Sequence, residues 1–385
     1  MKRIEGFVGG RLTQAREARG LTKTALSGML EISTNALAAL ETGESLPRQE
    51  TFQAIADRTA FPGQFFLRSM PPPMSGPVFW RRQASEPLRS QNKTSQRIDW
   101  GAEAFGILSE YVDFPKLDLP RLDDWPENWA SVSNEKIEDL ADHCRDVWGI
   151  GSYPIPDMCL ALENIGIPVL AFEIENEKQS GYSRWADHIE RPIVGTNTLE
   201  SSAVRMRFNL AHELYHALAH FGSVSEKEVR HAQTYQAIEK QAHRFAGALL
   251  FPRDAFLKSV QYPSLEEFAS HKQEWGISIL AQIRRAQDLG LCDPEWVRAL
   301  NIRASKNGYR GKRGEPFDKE MPLEQPRMFR RAIEAIEAIE AGSELLLEQV
   351  RQRLSLPRTG EMEIFGRPLA ASGSNVIQLK PVEQG

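Results

Sequence analysis

The 385 residues carry a formal net charge of −5, with 41% hydrophobic and 26% charged side chains. Such a composition is globular, with material for two or three cores; it excludes a chain that is disordered as a whole and a global field for polyanions, so any nucleic-acid contact must come from a local patch. Cys144, Cys159 and Cys292 are widely spaced and form no CxxC pair, which argues against a disulfide framework or a thiolate metal knuckle. With no apolar leader after Met1 and no run of 18 apolar residues, the expected compartment is the cytosol and no membrane partner is expected.

In chain order, residues 8–69 have apolar positions at three and four spacings, broken at Gly20, Ser33, Gly43 and Pro47, and read as four or five short helices. The segment "MPPPMSGPVFWRRQ" cannot continue a helix and marks an extended linker from about residue 71. Helical patterns return in "IDWGAEAFGILSEYVDF" and "NEKIEDLADHCRDVWGI". The β-branched runs "GIPVLAFEIE" and "RPIVGTNT" read as strands of a small sheet around the polar "SGYSRWADHIE".

Helices dominate from 203 to 300, one of them running from about 229 to a stop at Pro252. Residues 298–313 hold six basic residues and no acid; a solvated loop is the plainer reading, a phosphate-contacting arm the sharper one. "AIEAIEAIEA" at 332–341 reads as an exposed Ala/Glu-rich helix, and the last dozen residues as a frayed end.

The chemistry concentrates in "FNLAHELYHALAH", residues 208–220. On a helix, side chains at i and i+4 share a face about 6 Å apart, so His212 and His216 can offer nitrogens to one tetrahedral ion, and Glu213 can reach a water on it. The bland alternative is a pair of core histidines. A chance HExxH in a chain of this length has a probability of roughly one in a hundred. The alternative weakens further because His212, His216, His220, His231 and His243 fall within one 32-residue window.

A hydrolytic zinc site keeps three protein ligands and leaves one position for water. On the helix that contains "AIEKQAHRFAGALLFP", Tyr235 just before this segment and Glu239 and His243 within it share one stripe, and any of them can face the ion; Glu239 is preferred because two histidines and a carboxylate form a hydrolytic set. His243 then orients a ligand by hydrogen bonding. His231 and Tyr235 are candidate oxyanion donors, with structural roles as the plainer reading, and His220 is expected at the surface.

"RFNLAHELYHAL" followed by "IEKQAHRFAGALLFP" resembles the ImmA/IrrE family of metallopeptidases, whose pattern is HExxH and then ExxA(N/H)xFAxxLLxP, and the likeness runs from about 165 to 255. "EWGISILAQIRRAQDLGLC" and "NGYRGKRGEP" resemble the region that accompanies this peptidase behind an N-terminal regulator domain. The resemblance implies His212, His216 and Glu239 as metal ligands and Glu213 as general base; His243 stands where many members have Asn or Asp. "RLTQAREARGLTKTALSGMLEISTNALAALETGESLP" is similar to the XRE-type helix-turn-helix. That likeness starts the second helix near Thr22 and Lys23, puts the turn at "EIS" with Glu31 replacing the tight-turn glycine, and runs the recognition helix from Ser33 to about Glu41.

Lys23, Ser33, Thr34 and Asn35 are therefore the candidate DNA contacts, with Thr34 and Asn35 best placed for base edges and Arg11 and Arg48 available to phosphates. Residues 1–70 hold nine Lys/Arg against seven Asp/Glu, so the field is weak; a helical docking or dimerisation module is the alternative.

The expected architecture is mostly α with a small α+β core. A five-helix helix-turn-helix domain fills 1–70, a Pro-rich linker 71–94, a zincin-like HExxH peptidase domain with a small β-sheet 95–260, a helical region 261–372 and a disordered tail 373–385. The expected function is a cytoplasmic zinc-dependent endopeptidase fused to a DNA-binding regulator. Mn2+ or Fe2+ would fit the same ligands less tightly than Zn2+. The resemblance implies a partner transcriptional repressor as protein substrate, with DNA contacted through the N-terminal domain. The alternatives are a metal- or partner-sensing regulator that binds its operator as a homodimer without proteolysis, and a toxin-antitoxin or phage-defence component.

Overall fold

Side-chain caps set the first helices. Thr22 Oγ1 accepts from Ala25 N at 3.0 Å at the head of α2 (Lys23–Met29), and Ser33 Oγ accepts from Ala36 N at 3.1 Å at the head of α3 (Thr34–Thr42), which stops at Gly43 with φ 80°. These two pack with α1 (Gly9–Ala18) and α4 (Gln49–Thr59); a 3-10 turn over Gly63–Leu67 stands where the fifth helix was expected. The computed structural model describes residues 3–72, 74, 79–80, 88–173, 181–199, 202–311, 313–339 and 342–369; the expected tail at 373–385 lies outside them.

Next come β1 (Phe79–Trp80) and α5 (Leu88–Leu108), so residues 88–94, expected in the linker, are helical. After α6 (Asn134–Val147) and α7 (Met158–Asn164), three strands follow: β2 (Val169–Phe172), β3 (Gly181–Ala186) and β4 (Arg191–Asn197). β3 falls in the stretch read as a polar connection. The sheet order is β1-β3-β4-β2, with β2 parallel to β4 and the other two pairs antiparallel.

The strand periodicity shows why the sheet reads as continuous apolar runs. Val169 and Ala171 enter one core while Leu170 and Phe172 enter another, and Val194 and Ile193 divide the same way. Successive side chains point to opposite faces, so both faces of this sheet are buried. On one side lies α8 (Ala203–Tyr215), backed by α10 (Ala232–Leu250) and by Phe268, Trp275, Ile279, Ile283 and Leu300 of α12 (Leu265–Trp275), α13 (Ile279–Asp288) and α14 (Pro294–Lys306).

On the other side the N-terminal helices, α5 and the last three helices, α15 (Met328–Glu337), α16 (Ser343–Leu354) and α17 (Arg358–Phe365), form one continuous core. Three expectations change here. Residues 298–306 are the second half of α14, not a loop. The "AIEAIEAIEA" helix is amphipathic, with Ala332, Ile333 and Ile336 buried. Arg11 is 1% exposed, with its Nη1 on Glu103 Oε1 of α5 at 2.6 Å, and so is unavailable to a phosphate. Arg68 joins the same carboxylate and also reaches the carbonyl of Leu354.

Candidate metal centre

The apolar stripe of Leu210, Leu214 and Tyr215 packs α8 against Phe245, Ala246 and Leu249 of α10. This packing turns His212 and His216 inward, each 1% exposed, toward Glu239 on the facing helix. The two imidazole Nε2 atoms are 3.1 Å apart; His212 Nε2 lies 3.4 Å from Glu239 Oε2, and His216 Nε2 lies 3.4 Å from Glu239 Oε1.

Glu239 thus offers one carboxylate oxygen to each imidazole, and all three separations are of one scale. Metal bonds of about 2.0–2.1 Å at tetrahedral angles place ligand atoms about 3.3 Å apart, so the donor set fits a small divalent cation. Burial lowers the pKa of His212 to about 3, which keeps it in the neutral form that ligates metal. Burial works against ionisation of Glu239, but the His212 and His216 imidazoles beside it prevail and hold its carboxyl well below the ordinary range. Glu239 Oε1 is buried and makes no hydrogen bond of acceptable geometry, leaving an anionic lone pair directed into the cluster.

His243 sits beside these three residues. Its ring centroid is 4.6 Å from that of His212, its Nδ1 contacts the Glu239 carbonyl at 2.6 Å, and ligand atoms of His212, Glu239 and His243 all lie within 4.8 Å of one another. Two donor trios therefore share His212 and Glu239. In the His216 trio the imidazole nitrogens and their nearest carboxylate oxygens stand 3.1–3.4 Å apart. Glu213, the neighbour of the first ligand, points to β3, where Ser183 Oγ donates to its Oε2 at 2.6 Å. A Cβ at Gly181 would stand 3.0 Å from Glu213 Oε1, so the missing side chain makes room for this carboxylate.

Tyr235, Glu239, Lys240, His243 and Arg284 line a cavity of about 790 Å³. A second cavity, about 770 Å³, shares His243 and Arg284 and continues past Asn209 to Arg205 and Arg310. His231 is exposed at the head of α10 and is absent from both linings, so it is not brought to the cluster with Tyr235. His220, expected at the surface, is fully buried. It closes the single turn of π-helix over His216–His220 that extends α8, and its Nδ1 is 2.8 Å from His216 Nδ1. The sequence reading also passed over Ser183, Gly181 and Gln241. Only the alternation of "GYSRWA" pointed to β3, and no spacing rule links Gln241 to His220.

In the N-terminal unit, α2 and α3 are joined by a tight turn in which Glu31 takes the left-handed conformation, φ 54°. Asn35 is exposed near the head of α3. The Ser33 hydroxyl is taken up by its cap, Thr34 Oγ1 is 3.3 Å from Ser27 Oγ, and Lys23 Nζ is 3.3 Å from Glu41 Oε2. The other three candidate contacts are thus engaged within the unit, and Asn35 is exposed with a side chain not tied up by these contacts.

Fold and site together give a helical N-terminal unit with a tight turn between α2 and α3, packed against a domain built around the helix that carries His212, Glu213 and His216. Comparison with known families gives the same division: residues 162–286 match the IrrE N-terminal-like domain of the Peptidase M78 family, and residues 8–64 match a helix-turn-helix domain. The chain therefore carries an ImmA/IrrE-type peptidase domain behind an N-terminal helix-turn-helix domain. The peptidase match takes in the sheet strands β2 to β4, α8, α10 and most of α13, past the boundary expected at 260. No curated protein matches the chain. Among the described residues no helix is long and apolar enough to cross a membrane.

Proposed function

We propose that this chain is a zinc-dependent endopeptidase that cleaves a partner transcriptional repressor in the cytosol, its helix-turn-helix unit bringing it to the DNA where that repressor sits. The observation that carries this reading is the convergence of His212 Nε2, His216 Nε2 and the Glu239 carboxylate at separations of 3.1–3.4 Å, with Glu213 following His212 on the same helix. Soft thiolates are absent from the cluster; two imidazoles and one carboxylate suit Zn2+ first, with Mn2+ or Fe2+ bound less tightly.

His212, His216 and Glu239 would hold the ion, which when bound supplies Lewis acidity that polarises the scissile carbonyl and acidifies a water. Glu213 takes the proton of the attacking water and delivers it to the leaving amine. Ser183 holds one oxygen of that carboxylate from β3 and so fixes the orientation of the Glu213 side chain. The two cavities meeting at His243 and Arg284 give an extended chain a path past the cluster, which favours cleavage within a polypeptide over trimming of an end.

The test is incubation of the purified protein with zinc and the repressors encoded by neighbouring genes, read on gels and by mass spectrometry. Cleavage that disappears in Glu213→Gln supports the reading. Full zinc loading with every such repressor left intact would leave a metal-sensing regulator in its place.

A further inference from the structure

Gln241, on α10, makes two contacts that fix which way its amide points. Its Nε2 donates to the carbonyl of Trp129 at 3.0 Å, so the oxygen is the atom presented to His220 Nε2, 3.1 Å away. A carbonyl oxygen can only accept, which puts the hydrogen of His220 on Nε2. His220 is fully buried between the rings of Trp129 and Tyr215, and charging an imidazole shut away from water is unfavourable. Its Nδ1 therefore carries a lone pair.

That lone pair faces His216 Nδ1 at 2.8 Å, so His216 donates and is itself the Nδ1–H tautomer. Its Nε2 lone pair then points to where His212 Nε2 and Glu239 Oε1 lie, 3.1 and 3.4 Å away. In the opposite tautomer a proton would occupy the position an ion needs. His212 contrasts with it: its buried Nδ1 has no hydrogen-bond partner among the described residues. Only one of the two imidazoles is held by such a chain.

We propose that His220 and Gln241 are positioning residues: the chain Trp129 carbonyl, Gln241, His220, His216 selects the metal-binding tautomer of His216 and so sets the affinity of the site. The inference rests on the metal-centre reading above. It assigns a role to a histidine outside the HExxH motif, and it makes the turn at Trp129 part of the site although it lies far from it in the chain.

The experiment measures the zinc dissociation constant of the full-length protein by competition with a chromophoric chelator, together with the melting temperature of the metal-free protein. Outer partners of metal-bound histidines commonly set affinity by about 10- to 100-fold. His220→Leu removes the acceptor and should weaken zinc binding by that factor, while His220→Gln, whose amide oxygen can accept from His216 Nδ1, should recover most of the loss. Gln241→Leu, at a partly buried position, should weaken binding several-fold with the metal-free melting temperature little changed, and it serves if His220→Leu does not fold. Imidazole 15N shifts of His216 in the metal-free protein should switch tautomer in the leucine variants.

Wild-type affinity in His220→Leu, or in Gln241→Leu where His220→Leu does not fold, would overturn the proposal. Equal losses in His220→Leu and His220→Gln would do the same, because filling a space is then what matters. If the unaltered protein binds no zinc, it is the metal-centre reading that fails; if it binds zinc and the variants match it, only the relay fails.

Discussion

Ser183 on β3 donates its hydroxyl hydrogen to Glu213 Oε2 at 2.6 Å, tying the sheet to the carboxylate between the two paired histidines. Replacing Glu213 by Gln keeps the shape and this contact but removes the proton acceptor. Glu213→Gln should keep the wild-type zinc content, measured by elemental analysis, and lose cleavage by at least about 100-fold, the usual contribution of a general base. Undiminished turnover would end its assignment as base.

The third ligand is tested by metal content. Glu239→Ala should bring bound zinc well below one ion per chain, whereas His243→Ala, which leaves the His212, His216 and Glu239 donors in place, should retain it. The reverse pattern would make His243 the third ligand beside His212 and His216, with the Glu239 carboxylate dispensable.

Glu31 holds a left-handed conformation in the turn between α2 and α3, where a side chain is disfavoured by about 1 kcal/mol. Glu31→Gly should raise stability by roughly 0.5–1 kcal/mol, seen as a higher melting temperature. A lower one would mean that the Glu31 side chain makes a compensating contact.

Asn35, exposed near the head of α3, is the side chain that would pair with an adenine edge if the helix-turn-helix unit reads DNA as proposed. Asn35→Ala should reduce discrimination between operator and random duplex by about 1–3 kcal/mol while leaving non-specific binding and its salt dependence in place. Equal weakening on both duplexes would assign this side chain to backbone contact instead.

Glu163 offers a pH signature away from the metal centre. Burial raises its pKa from 4.5 to about 7, while the Arg327 and Met328 backbone N–H groups at the start of α15 pull the other way. The folded protein holds this proton more tightly than the unfolded chain does. The group's stabilisation is therefore complete below about pH 4.5 and is lost as pH rises through about 7, a span on the order of 3 kcal/mol. Glu163→Gln should flatten this part of the stability curve, measured by urea melts between pH 5 and 8; identical slopes would show that the proton is not taken up on folding.

What the sequence made legible was local. His212, Glu213 and His216 share two turns of one helix, and the caps Thr22, Ser33 and Gly43 sit in sequence beside the helices they bound. Long-range partners were not legible. Arg11 looks like a phosphate contact until Glu103, on a distant helix, is seen to take it. His220 looks like the wet end of a helix until Gln241 and the Trp129 carbonyl close around it. β3 was hidden because its polar side chains serve buried partners, Ser183 reaching Glu213 and Arg184 reaching Asp99, so the strand lacks an apolar signature.

The core shared by the amino-terminal helices, α5 and the last three helices has a consequence for dissection of the molecule. A cut at residue 72 would not release two finished pieces. It would strip Glu103 of both guanidinium partners and bare Phe65 and Trp100 to water, leaving a sticky wound on each fragment. The amino-terminal helices are thus keyed into the frame that carries the sheet, and neither side of such a cut is a self-contained piece.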